Sequence, residues 1–207
     1  MDTGESDERV HRLNALALEP DIRMIRLPHT HLDHAGALPM LRASWDVPTY
    51  MPAEDRPLFE TLPRKGPLFG MPHLDRPCDR IDPEVYDGHQ VIPGETQLRF
   101  LSTPGHTPGQ DCWYDDEDIL VGDTLFAGSI GRTDLPLSDP QKMVANLRKL
   151  TSLPGHLRVH SGHGPMTPLK EELHTNPFLG YIRKERGNLC PSGLHRSPGT
   201  MNRALGA

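Results

Sequence analysis

Four residues of metal-ligand type fall within six positions of this chain, as His29, His31, Asp33 and His34 in HTHLDH. Three imidazoles and a carboxylate at that spacing offer nitrogen and oxygen donors suited to Zn²⁺, Fe²⁺ or Mn²⁺. Buried without a partner, the same groups would be costly to desolvate. Three later residues of the same type each follow a short apolar run: His106 in FLSTPGHTPG, Asp123 in ILVGDTLF and His163 in RVHSGHGP. Singly, each reads as a turn residue, a cap or a solvent-facing side chain. Together and in this order, they point to a metal centre assembled from four loops.

Loops of that kind need strands to hold them. DIRMIRL (21–27), HQVI (89–92), TQLRFLST (96–103), QDCWY (110–114), DILVG (118–122) and LRVH (157–160) carry the β signal, with DVPTY (46–50) as a brief further strand. Helical spacing appears at 5–18, from Ala35 through AGALPMLRASW, and near 53–61. Asp139 before Pro140 is a cap and first-position pair. It opens a helix whose Met143, Val144, Leu147 and Leu150 share one face. Thr167–Pro168 opens a last helix running to about His174. Strands alternating with helices, and polar clusters where strands end, give an α/β class.

Composition narrows the chemistry. The chain has 207 residues, room for one core, with 12 histidines against five Phe and two Trp. Lys and Arg number 22 against 28 Asp and Glu, a net charge of −6, which argues against nucleic acid as a partner. No apolar run reaches the length of a membrane span, and MDTGESDERV is unlike a secretory leader. Three scattered cysteines (Cys78, Cys112, Cys190) form neither a disulfide framework nor a CxxC site, so a reducing, cytoplasmic setting is expected. Beyond Tyr181, five Lys and Arg face one Glu. The expectation is one domain over 1–180 and a basic, flexible tail over 181–207.

HTHLDH, His106 in TPGHTPG, Asp123 in VGDTLF and His163 in SGHGP together resemble the metallo-β-lactamase superfamily. GSIGRTDLP after Asp123 and NPFL at 176–179 are similar to its glyoxalase II-like (hydroxyacylglutathione hydrolase-like) members. The resemblance covers about residues 2–179 and implies a four-layer αβ/βα sandwich, two sheets face to face with helices outside. Asp2-Thr3-Gly4 resembles a turn that the family reaches after two or three strands, so the domain is expected to lack its first strands.

What the resemblance implies for the site is specific. His29, His31 and His106 would hold one divalent ion, Asp33, His34 and His163 a second, and Asp123 would bridge them. An anionic bridge suits two nearby cations, which otherwise repel. The ions would be zinc, with iron or manganese as alternatives. A hydroxide bridging them would cleave a small-molecule thioester of the S-2-hydroxyacyl thiol type. Asp33 and Asp123 would be catalytic, and Arg132 matches the basic residue that meets the thiol's carboxylate. Where glyoxalase II carries tyrosines, this chain has Asp134 and Pro165, which leaves the thiol open. The alternative is a persulfide dioxygenase-like oxidoreductase with one Fe²⁺ on His29, His106 and Asp123; a lactonase is a further relative. His160 is the remaining histidine nearest the site.

Overall fold

Pro28 cannot donate to a β ladder, so the apolar run before it must end there. In the computed structural model, which describes residues 22, 24–70, 90–91 and 97–187, strand β1 is the pair Ile25–Arg26. The expected helix at 5–18 lies outside the described residues. Past the HTH tripeptide come helix α1 (Leu32–Ala35) and helix α2 (Leu38–Ser44), which takes Pro39 into its first turn, where a missing N–H costs nothing. Strand β2 (Thr49–Tyr50) pairs with β1 in parallel. The Pro-rich stretch that follows breaks into single turns: a 3₁₀ turn Ala53–Asp55, helices α3 (Arg56–Phe59) and α4 (Leu62–Lys65), and a second 3₁₀ turn Gly66–Phe69.

The remaining strands are β3 (Gln90–Val91), β4 (Leu98–Ser102), β5 (Asp111–Tyr114), β6 (Asp118–Gly122) and the hairpin pair β7 (Leu125–Phe126) and β8 (Ser129–Ile130). Helix α5 (Pro140–Leu150) follows, capped by Asp139, whose carboxylate accepts from the N–H groups of Gln141 and Lys142. Then come β9 (Arg158–Ser161), β10 (Thr167–Pro168), α6 (Leu169–Thr175) and α7 (Pro177–Gly187). Two expectations shift here. Thr167 and Pro168 are drawn into pairing with β9 instead of opening the helix, which starts at Leu169. Residues 181–187, placed in the tail by composition, continue α7, because Leu179 and Ile182 are buried.

Six of the strands form one sheet in the order β10-β9-β6-β5-β4-β3. Alternation along it separates two faces. Cys112, Ile119, Val121 and Val159 point to a core completed by Met143, Leu147 and Leu150 of α5 and by Leu169, Leu179 and Ile182. On the other face, Arg26 of β1 pairs with Asp111 and lies over Trp113 and Phe100, 5.0 and 5.9 Å from the ring centroids. Burial pulls that guanidinium's pKa down to about 10. Ile25, Leu27, Leu38, Leu41, Met51 and Phe59 make a second, smaller core around β1 and β2. Among the described residues the second sheet of the sandwich is this two-stranded pair, and no helix is long and apolar enough to cross a membrane.

Candidate metal centre

Strand direction decides where the ligand loops meet. β9 runs parallel to β6, and β4 and β6 are both antiparallel to β5, so β4, β6 and β9 all point the same way. The loops carrying His106, Asp123 and His163 therefore leave one rim of the sheet. Backbone bonds draw the pieces together: Asp111 N–H donates to Pro28 O just before His29, and Gly162 N–H to Gly122 O, which sets His163 beside Asp123. Gly122 is required at its turn. Its φ is +49°, and a Cβ there would come within 2.8 Å of Pro28 Cβ.

The structure brings all seven sequence-predicted residues to this rim, in two groups. Candidate ligand atoms of His29, His31 and His106 lie within 4.8 Å of one another, as do those of Asp33, His34, Asp123 and His163. Asp123 sits between them, Oδ1 3.2 Å from His34 Nε2 and Oδ2 3.5 Å from His106 Nε2. His31 Nδ1 and His106 Nε2 approach to 2.8 Å, and His163 Nε2 is 2.9 Å from Asp33 Oδ2. His29, His34, His106 and Asp123 are buried and His31 is half-buried, whereas the side chains of Asp33 and His163 remain a third and a half exposed.

Burial, then the neighbouring rings, holds the pKa of His29 well below its ordinary value. The same two causes bring His31 to about 4, and burial lowers His106. These rings are neutral at pH 7 and present lone pairs. Burial opposes charge on Asp123, but the close approach of His34, Nε2 to Oδ1, prevails and holds its pKa below the ordinary carboxylate value. Neutral imidazoles crowded around an anion, with both ring nitrogens of fully buried His29 lacking hydrogen-bond partners among the described residues, are what a divalent cation would satisfy. The donor set fits such ions.

Partners outside the ligands fix the loops. His106 Nδ1–H donates to the backbone carbonyl of Arg132 at 2.8 Å, leaving Nε2 for the centre. Ser138 Oγ donates to His106 O, and Asp139 N–H to Gly105 O. Asp55, fully buried, accepts from Thr30 N–H, Thr107 Oγ1 and Gly109 N–H, so one carboxylate joins the His29–His34 loop to the His106 loop. Sequence reasoning passed over Asp55, since the helix expected near 53–61 gives AEDRP no reason to bury a carboxylate.

The chain matches the metallo-beta-lactamase superfamily over residues 2–163. It belongs to that superfamily. This superfamily member is similar to the probable metallo-hydrolase YqgX of Bacillus subtilis, 38% identical over 82% of both chains. It is 34% identical to the hydroxyacylglutathione hydrolase GloC of Haemophilus influenzae, over 85% of this chain and 84% of that one. Among solved structures, TTHA1623 in a di-iron-bound form superposes with a TM-score of 0.74 at 38% identity, covering 86% of this chain and 87% of that one. The metallo-β-lactamase fold, with its His and Asp groups at the rim, makes this protein a metal-dependent hydrolase.

Other candidates in this superfamily member fall elsewhere. The Arg132 guanidinium lines the groove over the centre, but its Nε and one terminal nitrogen are held by the Asp134 carboxylate at 2.9 and 3.0 Å. His160 joins neither group. It pairs through Nε2 with Asp118 Oδ1 at 2.7 Å and lines a separate cavity with Arg26 and Trp113. His156 and His174 contact backbone carbonyls of Asp116 and Lys170, while His11, His73, His89 and His195 lie outside the described residues.

Proposed function

We propose that the protein hydrolyses a thioester of the S-2-hydroxyacyl thiol type, using two divalent ions, zinc or iron. His29, His31 and His106 would hold one ion, Asp33, His34 and His163 the other, and Asp123 would serve both. The observation that carries this reading is the convergence of seven donors into two groups that meet at Asp123. A single iron on His29, His106 and Asp123 would leave Asp33, His34 and His163 clustered without a task. Similarity to GloC supports the thioester, and the di-iron form of TTHA1623 supports a paired site that accepts iron.

Bound there, the ions would polarise the scissile carbonyl and lower the pKa of water. The protein's own groups do the rest. Asp33, open to the groove, orients the attacking water and accepts its hydrogen bond. Asp123, held ionised and nearly buried, keeps the two groups of imidazoles at a common anion. Addition of water across the C–S bond gives a carboxylic acid and a thiol. The reducing compartment inferred from the cysteines suits a thiol product.

Elemental analysis of the purified protein, run beside assays with S-lactoylglutathione, a sulfane-sulfur substrate and a lactone, tests the proposal. Two metal equivalents per chain with thioester cleavage are expected. One iron with sulfur-dependent O₂ uptake would overturn it in favour of the dioxygenase.

A further inference from the structure

The groove over the centre encloses ≈ 1090 Å³, at or above the upper end for small-molecule sites. Metal-type residues form only part of its lining. The segment Leu58–Phe69 contributes a wall without any ligand: Leu58 and Leu62 buried at its base, Leu68 and Phe69 at its lip, 81% and 68% exposed. A single exposed Leu is ordinary, but two large apolar side chains in sequence, over a groove lined by other apolar residues, form a patch that water wets poorly. Phe126 and Leu135 also line the groove.

Two cations share the lining, and they differ. Arg132 is engaged by both oxygens of Asp134. Lys65, on α4 three and four positions before Leu68 and Phe69, is exposed and has no ion pair among the described residues. An ammonium carried beside an apolar lip recognises a ligand that is apolar along its length and anionic at its end. A short polar acyl group would leave Leu68 and Phe69 in water and use neither feature.

The geometry points to Leu68, Phe69 and Lys65 as the specificity element of this hydrolase: its substrate carries an apolar arm ending in a carboxylate or similar anion, the arm packed on Leu68 and Phe69 and the anion met by Lys65. The arm belongs to either the acyl or the thiol half of the thioester, and the inference rests on the hydrolytic reading only for the bond that is cut.

Two measurements on the metal-loaded full chain test it. The first is fluorescence titration with 8-anilinonaphthalene-1-sulfonate, an apolar anion that needs no turnover. Affinity is expected to fall at least tenfold in the double variant Leu68→Ser, Phe69→Ser and at least threefold in Lys65→Glu. Lys65→Arg retains it, and metal content stays equal in all four proteins. The second compares kcat/KM for acetyl, hexanoyl and adipoyl thioesters of one thiol, and for S-lactoyl thioesters of mercaptoethanol and 6-mercaptohexanoic acid. The series showing a preference for the long anionic member identifies the arm. Lys65→Glu is expected to cut that preference at least fivefold. Equal dye affinity across all variants overturns the specificity element, whatever is hydrolysed. Dye binding that responds to the variants while no thioester is cleaved overturns the hydrolytic reading and leaves the element standing.

Discussion

His106 Nδ1 lies 2.8 Å from the carbonyl oxygen of Arg132, and this contact lets the turn after β8 choose which imidazole nitrogen faces the metal centre. The role belongs to the backbone at position 132, not to its side chain. The neighbouring Gly131 shows how tightly that turn is seated, since a Cβ there would run into the Asp123 carbonyl oxygen.

Arg132→Ala is therefore expected to keep its full metal content, whereas Gly131→Ala loses most of it. Elemental analysis after gel filtration separates the two. Equal retention in both variants would remove the turn from the assembly of the site.

Removing a donor acts directly. His31→Ala and Asp123→Ala are each expected to lose most bound metal and at least 100-fold in kcat/KM, on the order of 3 kcal/mol or more of transition-state stabilisation. Asp123→Ala has the wider effect, because its carboxylate faces both groups. Wild-type turnover in either variant contradicts the assignment.

Asp55 gives a pH signature. Burial, opposed by its hydrogen bonds, raises its pKa to about 6 from an ordinary 3.8. Between those values the folded protein binds more protons than the unfolded chain, so this group makes stability fall as pH rises from about 4 to about 6. Asp55→Asn is expected to flatten that slope in urea unfolding measured at pH 4, 5, 6 and 7. Asp55→Ala strands three donors and costs about 3 kcal/mol or more. An unaltered slope in Asp55→Asn rules out the buried carboxylate as its source.

The cap of α5 offers a control. Asp139→Ala removes the acceptor for two backbone N–H groups and is expected to cost about 1 kcal/mol in urea unfolding. Its own N–H to Gly105 O survives the substitution, so metal content is expected to hold. Metal loss matching that of Asp123→Ala would show that the cap carboxylate also supports the His106 turn.

The convergence of the seven candidate donors was legible because residue type alone limits what a His-rich hexapeptide can do, and because each later candidate follows a recognisable strand. The cap at Asp139 and the apolar face of α5 were legible for the same local reason. Asp55 was not, since its partners lie 25, 52 and 54 residues away and nothing in AEDRP announces them. Nor was the apolar lip, because Pro and Gly in 62–70 break the periodicity into single turns. Composition also mislaid the start of the tail: Ile182 is one apolar residue among cations, and only packing onto the core reveals that it belongs to a helix.

Leu68, Phe69 and Lys65 sit on a stretch of chain that supplies no candidate metal ligand and is absent from the rim loops. Changes there can exchange one clientele of molecules for another while the machinery that breaks the bond stays intact. For anyone wishing to redirect this protein, these three positions are the ones to randomise first.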